Sequence, residues 1–121
     1  MTANTPATRK AKGQNAAKLL REELLEKAPH LQPGDIAVTP SGVTGPDLYL
    51  SPAALLTYPF TFEVKNQEKL NFWSAIKQSE SHARNGNDPV LAFKRNNEPL
   101  RICIELELFL SLAALNFEKQ L

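Results

Sequence analysis

A single cysteine, Cys103, leaves no partner for an intramolecular disulfide in this chain of 121 residues. Within the alternating run "LRICIEL" it reads as a small buried hydrophobe in a reducing compartment. Only two histidines are present, His30 and His82, too few and too far apart to build a zinc cluster with one thiol. No apolar run approaches the ~20 residues of a membrane span. The opening "MTANTPATRK" lacks the apolar segment of a secretory signal. Net charge is nearly absent, at +1, so the chain is neither uniformly basic nor uniformly acidic. These scarcities predict a cytoplasmic domain with no membrane partner, and the length leaves room for one hydrophobic core.

Charge is unevenly spread, however. Arg9, Lys10, Lys12, Lys18 and Arg21 occur in one stretch without an acid among them. Such a block attracts phosphate backbones, and it serves equally well as a solvated tail. Residues 1 to 12 are polar, contain Pro6 and show no periodicity, which predicts a flexible basic arm ahead of a single domain over 13–121.

Periodicity then sets the elements. Gln14 to Ala28 has helical spacing and is stopped by Pro29. "QPGD" is a turn, Ile36 and Val38 suggest a short strand, and "TPSGVTGPD" is a loop leading into a strand at Leu48 to Leu50. Ser51 followed by Pro52 is a helix start, so "PAALLT" forms a turn or two of helix. Residues 60 to 65 alternate as a strand. Residues 68 to 84 carry a helical pattern with Phe72, Ile76, Ser79 and Ala83 on one face and Trp73 packed against the sheet. Asn71, Ser74, Gln78 and His82 form a polar face. "PVLAFK" and "LRICIE" are hairpin partners across "RNNEP", and "LELFLSLAALNF" is a strongly apolar helix. The order helix, three strands, helix, two strands, helix predicts an α/β fold. It consists of a mixed sheet flanked by helices, with a parallel crossover through residues 68 to 84.

One constellation carries chemistry. Side chains two apart on a strand share a face, so Glu63 and Lys65 point together while Phe62 and Val64 point away. Asp47 opens the preceding strand, which the short helix at "PAALLT" can return alongside residues 60 to 65. Two carboxylates and the carbonyl of Val64 suit a hard divalent ion, Mg²⁺ or Mn²⁺, which takes oxygen ligands and keeps several waters. Such an ion activates water and offsets charge on a phosphodiester under attack, with Lys65 as an assisting cation. A turn aspartate and a solvated strand face are the competing accounts of the same residues.

Pro46-Asp47, fifteen intervening residues, then Glu63-Val64-Lys65 resembles the motif of the PD-(D/E)XK nuclease superfamily. The Gly/Ser loop before Asp47, the apolar strand closed by Glu-x-Lys and Gln78 in the next helix are similar to that family's context. So is Lys12-Gly13, which feeds the first helix as in small Holliday-junction-resolvase-like and phage-encoded nucleases. The resemblance spans residues 10 to 115. It implies a restriction-endonuclease-like fold and Mg²⁺-dependent DNA hydrolysis of branched or recombination intermediates, in host cytoplasm if the chain is phage-encoded. Asp47, Glu63, Lys65 and Gln78 would be catalytic, with Asp47, Glu63 and Val64 as metal ligands. Lys10, Lys12, Lys18, Ser41 and Gly42 would contact DNA. The chain departs from archaeal resolvases at Ala17, where they carry a metal-proximal glutamate. Either Glu22 or Glu23 replaces it, or the site works with two protein carboxylates. His82 reads as an exposed helix residue. The apolar tail is wider than one small sheet covers, which points to a homodimer, with burial inside the monomer as the rival account. A nuclease with another target (linear DNA, a restriction site, RNA) and a non-catalytic DNA-binding accessory protein are the alternatives.

Overall fold

Thr5 and Pro6 open the first helix: the Thr5 hydroxyl accepts the amide of Thr8 at 3.1 Å, and proline stands at the first position, where no amide is needed. The computed structural model describes residues 5–120. Helix α1 spans Pro6–Glu26, so the stretch expected as a flexible arm is helical from Pro6 onward, while residues 1–4 of that arm lie outside the described residues. Its inner stripe is Ala16, Ala17 and Leu20, all buried. Arg21 fastens the helix to the body, donating from Nε to the Ile36 carbonyl and from Nη2 to the Pro33 carbonyl, each at 2.6 Å.

Among the described residues the protein is a mixed α/β structure with four helices and two small sheets. After a 3-10 turn at Pro33–Asp35, β1 (Ile36–Val38) and β2 (Leu48–Leu50) pair antiparallel, with Ile36 opposite Leu50 and Val38 opposite Leu48. Helix α2 (Pro52–Thr57) follows, its amide at Ala54 capped by the Ser51 hydroxyl. Strand β3 (Phe60–Asn66) pairs parallel with β4 (Asp88–Lys94), and helix α3 (Phe72–Ser81) makes the crossover. Strand β5 (Arg101–Cys103) returns antiparallel to β4, and α4 (Leu106–Lys119) closes the chain. The elements thus occur in the expected order, but the five strands divide into two sheets. A backbone bond from the Asp47 amide to the Phe62 carbonyl, 3.0 Å, joins them.

Alternation on the sheet decides which helix covers which face. Phe62, Val64, Val90 and Ala92 face α1 and form the core with Ala16, Ala17, Leu20, Ile36, Leu48 and Leu50. Thr61, Glu63 and Leu91 point to the other side, where Ala75 and Ser79 of α3 are buried and the Phe72 ring meets Phe93 edge-on at 4.9 Å. Trp73, expected against the sheet, is 76% exposed. One residue past Phe72 is about 100° round the helix from the inward stripe, which leaves Trp73 at the rim of a groove beside Pro89 and Leu91 of β4 rather than packed beneath α3.

Candidate active site

Gly45 takes a φ of +126°, a backbone conformation that only glycine adopts without strain, and this turns the chain so that Pro46 and Asp47 enter β2. The Thr39 hydroxyl holds the Pro46 carbonyl at 2.7 Å, and the Thr39 amide holds that of Asp47 at 2.9 Å. Asp47 lies at the joint between the sheets. Its amide donates to Phe62, and its Oδ2 accepts the amide of Val64 at 2.7 Å. The side chain therefore extends the pairing one step further along β3 than the backbone of β2 reaches. The hydrogen bond fixes where the carboxylate sits.

Glu63 occupies the next position on β3, 3% exposed beneath the end of α3. Its Oε2 lies 2.9 Å from Nδ1 of His82, and its Oε1 lies 4.0 Å from Nζ of the half-buried Lys65. Burial raises the carboxyl above its ordinary value. The His82 hydrogen bond draws it back, Asp47 pushes it up again and Lys65 lowers it. A buried acid repelled by a second acid is an expensive arrangement unless a proton or cation is drawn to it.

The structure brings together Asp47, Glu63, Lys65 and the amide of Val64. It does not bring Gln78, which is exposed; only its backbone is used, its carbonyl accepting from the His82 amide and the Ser81 hydroxyl. His82, expected as an exposed helix residue, takes that place. It is the C-terminal cap of α3, and the bond from the Arg84 amide to the Thr61 hydroxyl, 3.2 Å, draws this end of the helix over β3. Periodicity gave no hint of this, because His82 and Gln78 share one polar stripe and only the helix end bends toward the strand.

At the aligning helix position, Ala17 is buried against the core and offers no ligand. Glu22 pairs with Arg21 at 3.6 Å, and Arg21 is tied to Ile36, the end of β1 away from Asp47. Glu23 is exposed. The carboxylates that the structure places together are Asp47 and Glu63. Among the described residues no group of three or more His, Cys, Asp and Glu side chains is placed to hold a metal. An ion here would rest on Asp47, Glu63, backbone oxygen and solvent, a donor set that fits a hard divalent cation.

The basic residues separate. Gln14 donates to the Thr39 carbonyl at 3.2 Å, which places the half of α1 carrying Lys10 and Lys12 near the Asp47 end of the sheet. Lys18 instead lines a shallow groove with Arg21, Glu22 and β1. Ser41 and Gly42 are exposed at the tip of the β1–β2 loop. Arg84 was not anticipated. With Thr39, Thr44, Tyr49, Thr61 and Asn87 it lines a groove of about 530 Å³ that borders Pro46. Comparison with protein-family models, curated proteins and solved structures finds no match to the chain.

Proposed function

We propose that the chain is a metal-dependent DNA endonuclease of the PD-(D/E)XK kind with a restriction-endonuclease-like fold, hydrolysing phosphodiester bonds in branched or recombination intermediates. One observation carries the reading: the Val64 amide seats the Asp47 carboxylate next to Glu63, on the strand that also presents Lys65. A structural aspartate needs no buried acid beside it. Parallel pairing of β3 with β4 through α3, and a β2 that meets β3 at Asp47, support the fold assignment.

Asp47 and Glu63, with the carbonyl of Val64, would hold Mg²⁺ or Mn²⁺, and the bound ion supplies charge neutralisation and water activation. Lys65 offers its ammonium to the phosphodiester oxygens, stabilising negative charge that grows as water adds to phosphorus and one P–O ester bond breaks. His82 fixes the orientation of Glu63. Lys10 and Lys12 neutralise phosphates flanking the cut, and the small residues Ser41 and Gly42 let the loop approach the backbone.

The test is incubation of the purified chain with four-way, flapped, linear and single-stranded DNA in Mg²⁺, Mn²⁺ or EDTA. Metal-dependent cutting confined to four-way DNA is the expected result. Cutting of every substrate transfers the chain to a nuclease of another target, and binding without cutting in any metal makes it an accessory protein. Lys65→Ala should keep DNA binding and lose cleavage; a Lys65→Ala variant that cuts at the parent rate removes Lys65 from the chemistry.

A further inference from the structure

Trp73, the one tryptophan of the chain, stands exposed at the rim of a groove of about 300 Å³ bordered by α3, β4 and α4. Ile76, Leu91, Ile104 and Leu108 supply its apolar lining. Three exposed acids, Glu80, Asp88 and Glu105, stand around that lining. They come from α3, the first residue of β4 and the N-cap of α4, so separate elements bring them together. Among the described residues none of the three has an ion-pair partner, and no lysine, arginine or histidine lines the groove. A cleft lined by one sign of charge over apolar walls concentrates its field on whatever enters. Ser79 lines the groove as well. It is 3% exposed, and its hydroxyl has no hydrogen-bond partner among the described residues. A buried hydroxyl left this way costs free energy that a donor entering the groove would recover.

We propose that this groove binds an arginine side chain carried on an extended apolar peptide segment of a partner protein. Charge complementarity selects a cation, and the indole selects which one. A guanidinium is planar, weakly hydrated and able to stack on Trp73 while its N–H donors reach carboxylates on either side. Its neighbours in the segment meet the apolar lining. The edge of the sheet selects a peptide over a free cation. Strand β5 pairs with β4 alone, so its outer row of backbone groups is open, and Cys103 and Ile104 carry that edge to the groove. An extended segment adds to such an edge by main-chain hydrogen bonds, with a side chain seated in the adjoining pocket. None of the lining residues belongs to the site at Asp47 and Glu63, so the proposal stands independently of the nuclease reading.

Trp73 is its own reporter, since no other tryptophan contributes to the emission. The test titrates the full chain with acetyl-Leu-Arg-Leu-amide and follows that emission. The expected result is a saturable change with a dissociation constant below about 1 mM. Citrulline in place of arginine, which keeps the shape and removes the charge, weakens binding at least about tenfold. Glu80→Gln/Glu105→Gln weakens it by about tenfold as well, with the parent's circular dichroism retained because both residues are exposed. Glu26→Gln, at an exposed acid of α1 outside the groove, leaves binding within about twofold. Absence of saturation up to about 10 mM peptide overturns the proposal. Equal binding of the citrulline peptide overturns it too, because the groove then selects apolar bulk and not charge. Indifference to the double substitution places the contact elsewhere. Hexylguanidinium binding as tightly as the peptide would reassign the groove to a free organic cation. None of these readouts depends on cleavage.

Discussion

Asp35 in "QPGD" follows Pro-Gly and Asp47 in "TGPD" follows Gly-Pro, and their surroundings diverge from there. Asp35 has both oxygens engaged, Oδ2 accepting the Gln32 amide and Oδ1 the Ser51 hydroxyl, each at 2.7 Å. Its backbone carbonyl also takes the Ser51 amide, at 2.8 Å. The Ser51 and Gln32 hydrogen bonds hold its carboxyl below the ordinary value, so this anion supports the fold. Asp47 has one oxygen engaged by Val64, and a second carboxylate, Glu63, stands close enough to be pushed upward by it. In the first region donors gather round one acid. In the second, two acids share one amide, one lysine and one histidine. The contrast separates a carboxylate that builds the chain from carboxylates placed where the fold gains little by them.

The largest expected effect tests this contrast directly. Asp47→Asn should lower metal-dependent cleavage about a thousandfold or more. Asp35→Asn should leave cleavage by the folded protein within about twofold, because a satisfied turn aspartate contributes nothing to the reacting phosphate. Equal losses, measured as initial rates on the best substrate, would erase the distinction.

A smaller effect is expected at His82, which acts through Glu63. His82→Ala should cost roughly 10–100-fold in rate, as loss of a partner behind a ligand does. His82→Gln, still able to donate to Oε2, should recover part of it. A merely structural histidine would show a fall in thermal stability that tracks the loss, with no difference in rate between the two variants once folded.

The smallest effects are in stability, and their signs are opposite. Glu63 binds its proton more tightly in the folded chain than its ordinary value of 4.5 implies. Stability therefore falls as pH rises from that value through the raised one. Glu63→Gln should lift the melting temperature by a few degrees at pH 8, and the gain should vanish in acid below the ordinary value. Asp35 contributes stability above its ordinary value of 3.8, lost as pH falls through the depressed one. Asp35→Asn should thus lower the melting temperature at neutral pH, with the penalty fading in acid. Calorimetry of both variants across the acid range decides whether the two carboxyl environments differ in sign.

Much of this arrangement was legible in the chain, and the failures are instructive. Alternation over residues 60 to 65 sufficed to put Glu63 and Lys65 on one face, since a strand has period two wherever it lies. Ser51-Pro52 marked a helix start because capping is local chemistry. The same signature at Thr5-Pro6 marks α1, yet the polar residues after it hid the helix, whose first half buries nothing and so leaves no apolar period. Trp73 and His82 were misplaced for a different reason. Which side of α3 meets the sheet, and where its end bends, depends on β3 and β4 rather than on the helix.

By itself, then, the order of residues determined the succession of elements, the parallel crossover and the pairing of Glu63 with Lys65, because caps, turns and periodicity act over a few residues. The tertiary structure alone decided that the strands form two sheets meeting at Asp47. It also decided that His82 rather than Gln78 reaches Glu63, and that α4 is left uncovered. Those outcomes depend on distances between segments far apart in the chain, set by how the core closes around Phe62 and Val64, and no local pattern encodes them.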